Sequence, residues 1–523
     1  MLYSEDWQDR TKSHPALKML TGIALLLTIS ACNHFSSVSE VELADQQRSQ
    51  ILVDSAQNAR SYLEQFTSSL RDSLKADSMV DRYYQNGGTW VWVHEDTTFM
   101  QNADELANFL DQNAHEMGFS PNAFFTDEIR SHTEHFRKLD FDSTNTNPTQ
   151  TMAQLELLLS KAYLRYALGQ RYGFMNPHDV LNRRDVRKGG GYRIVYDIPL
   201  EQSDEEFFNQ ALQHASDEQP TTWLQSIESP HPVYQQLKQL LANDSTADGR
   251  KRIICNMERL RWRHEQHIGN DDRYVFVNIP SQQLWAISPD SAFSMRICCG
   301  AWRTKTPLLT SQIRLIQLNP EWNIPGSILR DEVSPHAGDS TYFARNRYFI
   351  IQRSTGDTIQ AKDVTKAQLR SGGYRVAQHS GPRNSLGRII FRFNNQFDVY
   401  LHDTNNRNAF NNEKRTISHG CVRVQRPFDI VKFLLPEADE WQLDKIRMNI
   451  DMKPESDRGK KFKRENSSIS SIKMNSTGVN PNVPLLIDYY TLYPNPETGE
   501  FETWPDRYEY DILIDKALKP FLP

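Results

Sequence analysis

The chain has 523 residues, 38% apolar and 24% charged, with a formal net charge of −6. It is long enough to bury sizeable cores in two or three domains, and its acidic balance lacks the basic footprint of a nucleic-acid binder. Five cysteines with no regular spacing do not make a disulfide framework.

At the amino terminus, Arg10, Lys12 and Lys18 precede an apolar run from Met19 to Ile29. The run is too short for a permanent membrane helix and fits the core of an export signal; no later run is long enough to span. It ends in Ile29-Ser30-Ala31-Cys32, which resembles the lipobox of bacterial lipoproteins. That resemblance implies a signal peptide over residues 1–31, cleaved so that Cys32 becomes an acylated amino terminus. The product would be an envelope lipoprotein facing the periplasm, held by the inner or outer membrane, with Asn33 after Cys32 favouring the outer. The alternative is an ordinary cleaved signal with Cys32 incidental, and both routes export the chain. Residues 32–50 are polar and read as a tether.

From Ile51 onward, apolar residues recur at helical spacing, as in Leu155, Leu158, Leu159, Ala162, Tyr163 and Tyr166. We expect a helical domain over 51–265. Gly189-Gly190-Gly191 follows the basic run 183–188 but lacks the Gly-Lys-Ser/Thr of a phosphate loop, so it reads as a flexible joint. His264-Glu265-Gln266-His267 is one residue short of a zinc-protease motif. No metal and no cofactor are expected.

From Tyr274, alternating and β-branched runs predict a mostly β domain over 270–523, giving a multidomain α+β chain. A mixed segment, about 304–375, interrupts it. Adjacent Cys298 and Cys299 in a strand face opposite sides and are expected as buried thiols, with Cys255 also unbridged. Pro427 opens a helix over Phe428 to Leu435. Residues 453–480, lysine-rich and then rich in Ser and Asn, read as an exposed loop, after which Leu485 to Tyr493 and the terminal aromatic stretch return to the sheet.

Inside this domain, Tyr400-Leu401-His402-Asp403-Thr404 is followed one loop later by Ile417-Ser418-His419-Gly420-Cys421-Val422-Arg423-Val424. Cysteine catalysis needs a thiolate, a base or cation that lowers the thiol from its free pKa of about 8.5, and oxyanion donors. Cys421 supplies the thiol, His402 a base titrating near neutral pH, and the N–H groups of Gly420 and Cys421 the donors. Arg423, two residues along an extended segment, falls on the side of Cys421, where its fork can hold a carboxylate. Ser418 can orient His402 or the loop, and His419 serves either the loop backbone or catalysis. Tyr400 and Phe410 either line the site or belong to the core, and Asp403 fits a turn cap.

At these residues the chain resembles the L,D-transpeptidases of the YkuD type, whose signature is a histidine, a loop of about fifteen residues, then Ser/Thr-His-Gly-Cys and a following Asn or Arg. Further stretches are similar to the large, multidomain, YcbB-like branch: Asn256-Met257-Glu258-Arg259 with Trp262, Thr306-Pro307, Asn319 to Ile328, and Gly381 to Gly387. Val80 to Tyr84, Trp90 to Trp92 and Leu155 to Pro177 look like its scaffold region, and 304–375 like a lid. Where many members insert a peptidoglycan-binding module, only Ala242 to Arg252 is present. The resemblance implies catalysis by Cys421, His402, Ser418, His419, Gly420 and Arg423, with substrate contacts from Tyr400, Phe410 and Arg423. The expected reaction is acyl transfer between peptidoglycan stem peptides, from a tetrapeptide donor with loss of D-alanine to a 3→3 cross-link. The expected inhibitors are carbapenems, acylating Cys421. A carboxypeptidase or protein-attaching variant shares the acyl-enzyme, and a non-catalytic wall-binding lipoprotein is the remaining alternative.

Overall fold

The computed structural model describes residues 74–523 except 94–97, 142–146, 183–191, 218, 266–271 and 467–473, together with 47, 50, 51, 54, 55 and 59–69. The signal segment, Cys32, nearly all of the tether, the triple-glycine joint and His267 lie outside the described residues.

The amino-terminal half is helical around one central helix, Pro148–Tyr172. Asn147 starts it by accepting from the Thr149 and Gln150 N–H groups, Pro148 occupies the first turn, and Gly173 at φ 94° ends it. It is buried on nearly all sides because helices Lys75–Gln85, Thr98–Met117 and Thr126–Lys138 pack around it. Its polar side chains are satisfied internally, as burial requires. Glu156 accepts from the Val91, Trp92 and Val93 N–H groups and from Tyr84 Oη, while Lys161 meets Asp81 at 2.9 Å and Arg165 pairs with Asp77. The motifs at 80–84 and 90–92 are therefore the partners of this helix.

The carboxyl-terminal half is built on a closed sheet. Its strands are β1 (Tyr196–Asp197), β2 (Tyr274–Asn278), β3 (Gln283–Ser288), β4 (Ser291–Gly300) and β5 (Leu308–Leu318). Later strands β6 to β9 form a separate sheet, described below, and the closed sheet resumes with β10 (Ile389–Phe393), β11 (Leu401–His402), β12 (Thr416–Ser418), β13 (Val422–Val424) and β14 (Ser476–Asp488). Pairing runs β5-β10-β11-β13-β4-β3-β2-β14, and β14 returns to β5, so the sheet has no free edge along that ring. β1 adds in parallel beside β5, and β12 beside β4. The helical stretch 51–265 thus lends one strand to the barrel.

Helix Ala247–Arg259 joins the halves. Asn256 exchanges hydrogen bonds with Thr491, Arg259 meets Asp511 at 2.6 Å, and fully buried Glu258 accepts from Met175 N, Arg261 and Trp262 Nε1. The Asn-Met-Glu-Arg motif is interdomain cement. The chain end reinforces it, because Tyr510–Leu518 is a helix packed on 247–259 and Phe521 stacks among Phe119, Phe124 and Phe174. The terminal aromatic stretch therefore does not join the main sheet: Phe501–Thr503 pairs with Leu492–Pro494 in a separate ladder, Trp504 and Tyr508 pack on Trp285 and Tyr489 of the catalytic domain, and Phe521 reaches the helical domain.

Two further expectations are corrected. Leu308–Leu318 belongs to the barrel, so the interruption is narrower than 304–375. Its separate sheet is β6 (Trp322–Asn323), β7 (Tyr348–Gln352), β8 (Thr358–Ile359) and β9 (Tyr374–Gln378), with its own small core around Ile328, Phe343, Ile350 and Val376. Nor is 453–480 one exposed loop. Asp457–Glu465 is a helix capped by Ser456, its Phe462 packing on Trp441, and residues from Ser476 already belong to β14. Cys298 and Cys299 do face opposite sides, one under Ala409 and Phe410 and the other in the main core, and the four described cysteines are free.

Candidate active site

β11 and β13 lie side by side in parallel, Leu401 opposite Val422 and His402 opposite Arg423. Leu401, Val422 and Val424 point into the core. By strand alternation Tyr400, His402, Cys421 and Arg423 share the other face. The loop from Asp403 to Ile417 is held at both ends. Asp403 accepts from Arg388 N at 2.9 Å and Arg407 at 2.6 Å, confirming a turn-holding role, and Arg415 bonds the carbonyls of Ile297 and Gln282.

The turn before Cys421 is tied down from below. Ser418 Oγ donates to the Cys421 carbonyl at 2.5 Å and accepts from Gly420 N at 3.2 Å. The Ser418 carbonyl accepts from Ala301 N and Thr304 Oγ1, and Thr306 Oγ1 accepts from Gly300 N while donating to the Gly420 carbonyl at 2.8 Å. Tyr508 Oη completes the network by donating to the Gly300 carbonyl and accepting from Thr306 N. Gly420 sits at φ 122°, a left-handed region that favours glycine. Ser418 orients this loop, not His402. Thr304, Gly300 and Tyr508 were not singled out from the sequence. Gly300 carried a usable signal, a glycine at a strand end just ahead of a Thr-Pro turn, where a Cβ would collide with the Thr304 carbonyl.

The electrostatics correct the expected activation. His402 is buried, and burial together with the Arg423 guanidinium pushes it down to about 4, against the backbone of Asp403 and Leu386. Burial likewise pushes the Cys421 thiol above its ordinary value, opposed by the Tyr400 backbone and Arg423, with Asp398 adding to the rise. The resting pair is thus a neutral thiol beside a neutral imidazole, because desolvation outweighs the one cation and that cation itself disfavours an imidazolium. The Gly420 N–H is occupied by Ser418, so of the two expected oxyanion donors only that of Cys421 is left. Arg423 carries a buried Nε with no hydrogen-bond partner among the described residues, as does His402 Nδ1. Cys421 is partly exposed, unlike the other described cysteines, and its Sγ lies 3.9 Å from the Asp398 carbonyl.

The remaining candidates divide. Tyr400, half-buried, lies under the Arg392 guanidinium at 4.9 Å, beside the site. Phe410 is 2% exposed against Cys298 and Ala409, so it props the loop from below and does not face substrate. His419 is exposed and meets Glu332 of the inserted segment at 2.7 Å. His264 pairs with Asp488 at 4.0 Å, a structural contact.

A thiol, an imidazole and a guanidinium on one strand face, above a braced glycine turn, form a set suited to acyl transfer. The model of the YkuD L,D-transpeptidase catalytic domain matches residues 272–440, and the model of the scaffold domain matches residues 77–241. The catalytic match ends ahead of β14, the strand that closes the barrel. A Haemophilus influenzae protein titled "Putative L,D-transpeptidase" is 26% identical over 324 residues, covering 61% of this chain and 60% of that relative. The chain thus matches about three-fifths of that relative's length. With a helical scaffold domain leading into a strand-rich barrel, the chain carries a YkuD L,D-transpeptidase catalytic domain behind a scaffold domain.

Proposed function

We propose that the protein is a peptidoglycan L,D-transpeptidase working through a thioester on Cys421. The observation that supports this best is the shared face of His402, Cys421 and Arg423 across the paired strands β11 and β13. As sulfur attacks the carbonyl between the diamino acid's L-centre and the terminal D-alanine, His402 takes the thiol proton. It passes that proton to the leaving nitrogen, and D-alanine departs. The side-chain amine of a second stem then attacks the thioester, its proton travelling through His402 back to the cysteine sulfur, and a 3→3 cross-link forms. Arg423 supports the developing oxyanion or holds a stem carboxylate with its free Nε–H.

The proposal extends to location, with Cys32 acylated and the enzyme held on the periplasmic face of a membrane. Metabolic labelling with a clickable palmitate should mark the wild type and not Cys32→Ser. For the reaction, full-length protein and its Cys421→Ala form are incubated with disaccharide tetrapeptides and the products read by mass spectrometry. Dimers linked 3→3 that vanish in the variant are the expected result. Tripeptides without dimers would make it an L,D-carboxypeptidase, and an untouched substrate would sink the cross-linking assignment. A carbapenem should add its intact mass to the wild type alone.

A further inference from the structure

Past the turn 407–411, on the same side of β4 and β13, opens a cavity of about 510 Å³. Its wall includes Arg296, Arg415, Arg426 and Arg507, with Glu413 and Trp504. Four guanidinium groups thus face one lining carboxylate, in a chain whose net charge is −6.

Their hydrogen bonds leave much of that charge unneutralised. Arg415, 7% exposed, spends its donors on the carbonyls of Ile297, Gln282 and Asn412. Arg296 donates to the Phe410 carbonyl at 3.1 Å. Among the described residues, only Arg426 of the four has a carboxylate in reach, Asp429 at 2.6 Å. Arg507 has a buried Nε with no hydrogen-bond partner among the described residues. The crowding is felt, since burial and the charges of Arg296 and Arg507 push Arg415 below its ordinary value. Like charges gathered around a concave wall repel one another until an anion enters, and planar guanidinium forks match the paired oxygens of phosphate and carboxylate.

We propose that this pocket is a binding site for an oxyanion, a phosphate or carboxylate group of a larger ligand, gripped by Arg507 and Arg296 against Trp504. Gln425, on its rim, is four residues beyond Cys421. That is about 13 Å of extended chain, so one wall-polymer segment can reach both; this last point alone rests on the proposed reaction.

The test is isothermal titration of the full-length Cys421→Ala protein with pyrophosphate and with citrate, at ionic strength matched by chloride. Because the variant cannot turn over, the result is independent of catalysis. A saturable heat with pyrophosphate alone assigns a phosphate ligand, with citrate alone a carboxylate, and with both a general oxyanion site. Each supports the proposal if the double variant Arg296→Gln, Arg507→Gln binds at least tenfold more weakly. No saturable heat with either probe, or equal affinity in the double variant, overturns it. Unchanged iodoacetamide labelling of Cys421 in the same double variant, made with the cysteine intact, verifies the fold.

Discussion

At the scale of single residues, the working state of the site is set by what its groups lose on burial. His402 titrates at about 4, so it remains a competent base through the range in which a free imidazole would already be charged. The acid limb of kcat/KM should therefore fall near pH 4 and leave activity flat across pH 6.5; a midpoint at 6.5 would contradict this account. Cys421 is raised, so its alkylation by iodoacetamide should climb with pH only on the alkaline side, with no plateau below pH 7. Gly420→Ala meets no atom closer than 3.4 Å, yet places a Cβ at φ 122°. We expect a loss of about 1–3 kcal/mol of local backbone stability, read as slower carbapenem acylation with little change in Tm. The candidate thiol and imidazole were legible in the sequence because the spacing of His402 and Cys421 is a motif. Their protonation was not, since desolvation depends on neighbours such as Leu386 that no motif carries.

At the scale of elements, two contacts decide what moves and what does not. Glu156 satisfies three backbone N–H groups of the 91–93 segment and Tyr84 Oη inside the helical core. Truncation to alanine orphans the three N–H groups, while Tyr84 Oη keeps Ser160 Oγ at 2.8 Å, and we expect a cost of about 3–5 kcal/mol, measurable as a fall in the urea midpoint. Periodicity announced the helix but not this buried acid, because a Glu in a helical stretch ordinarily faces water. The inserted segment, by contrast, touches the catalytic turn through the exposed pair His419–Glu332, 2.7 Å apart. Exposed pairs contribute only about 0–1 kcal/mol, so Glu332→Gln should leave Tm unchanged while raising the rate at which bulky maleimides label Cys421. An unchanged rate would mean that the pair does not restrain access. The misplaced start of this segment shares one cause with the misread loop at 453–480. Both β5 and the first residues of β14 pair with strands far away in sequence, and such pairing leaves no local mark.

Across the whole molecule, buried neutral histidines make stability sensitive to acid. His402 and His231 are both pushed to about 4, the latter by burial and by His264, with its Nδ1 accepting from Val233 N. Between pH 6.5 and 4 the unfolded chain binds protons there that the native state refuses, so stability falls as pH falls, and the loss is complete once pH is below the native value. For His402 the drop from the ordinary imidazole value to about 4 amounts to about 3 kcal/mol. Thermal unfolding should show Tm dropping through this window, with a shallower drop in His231→Gln.

The ring of strands closes only where β14 slots between β2 and β5. More than fifty residues after the cysteine must therefore leave the ribosome before the thiol has a platform beneath it. Until then a growing chain already carries His402, Cys421 and Arg423, but as loose pieces of an unfinished barrel, and the late strand acts as a built-in delay on the assembly of that face.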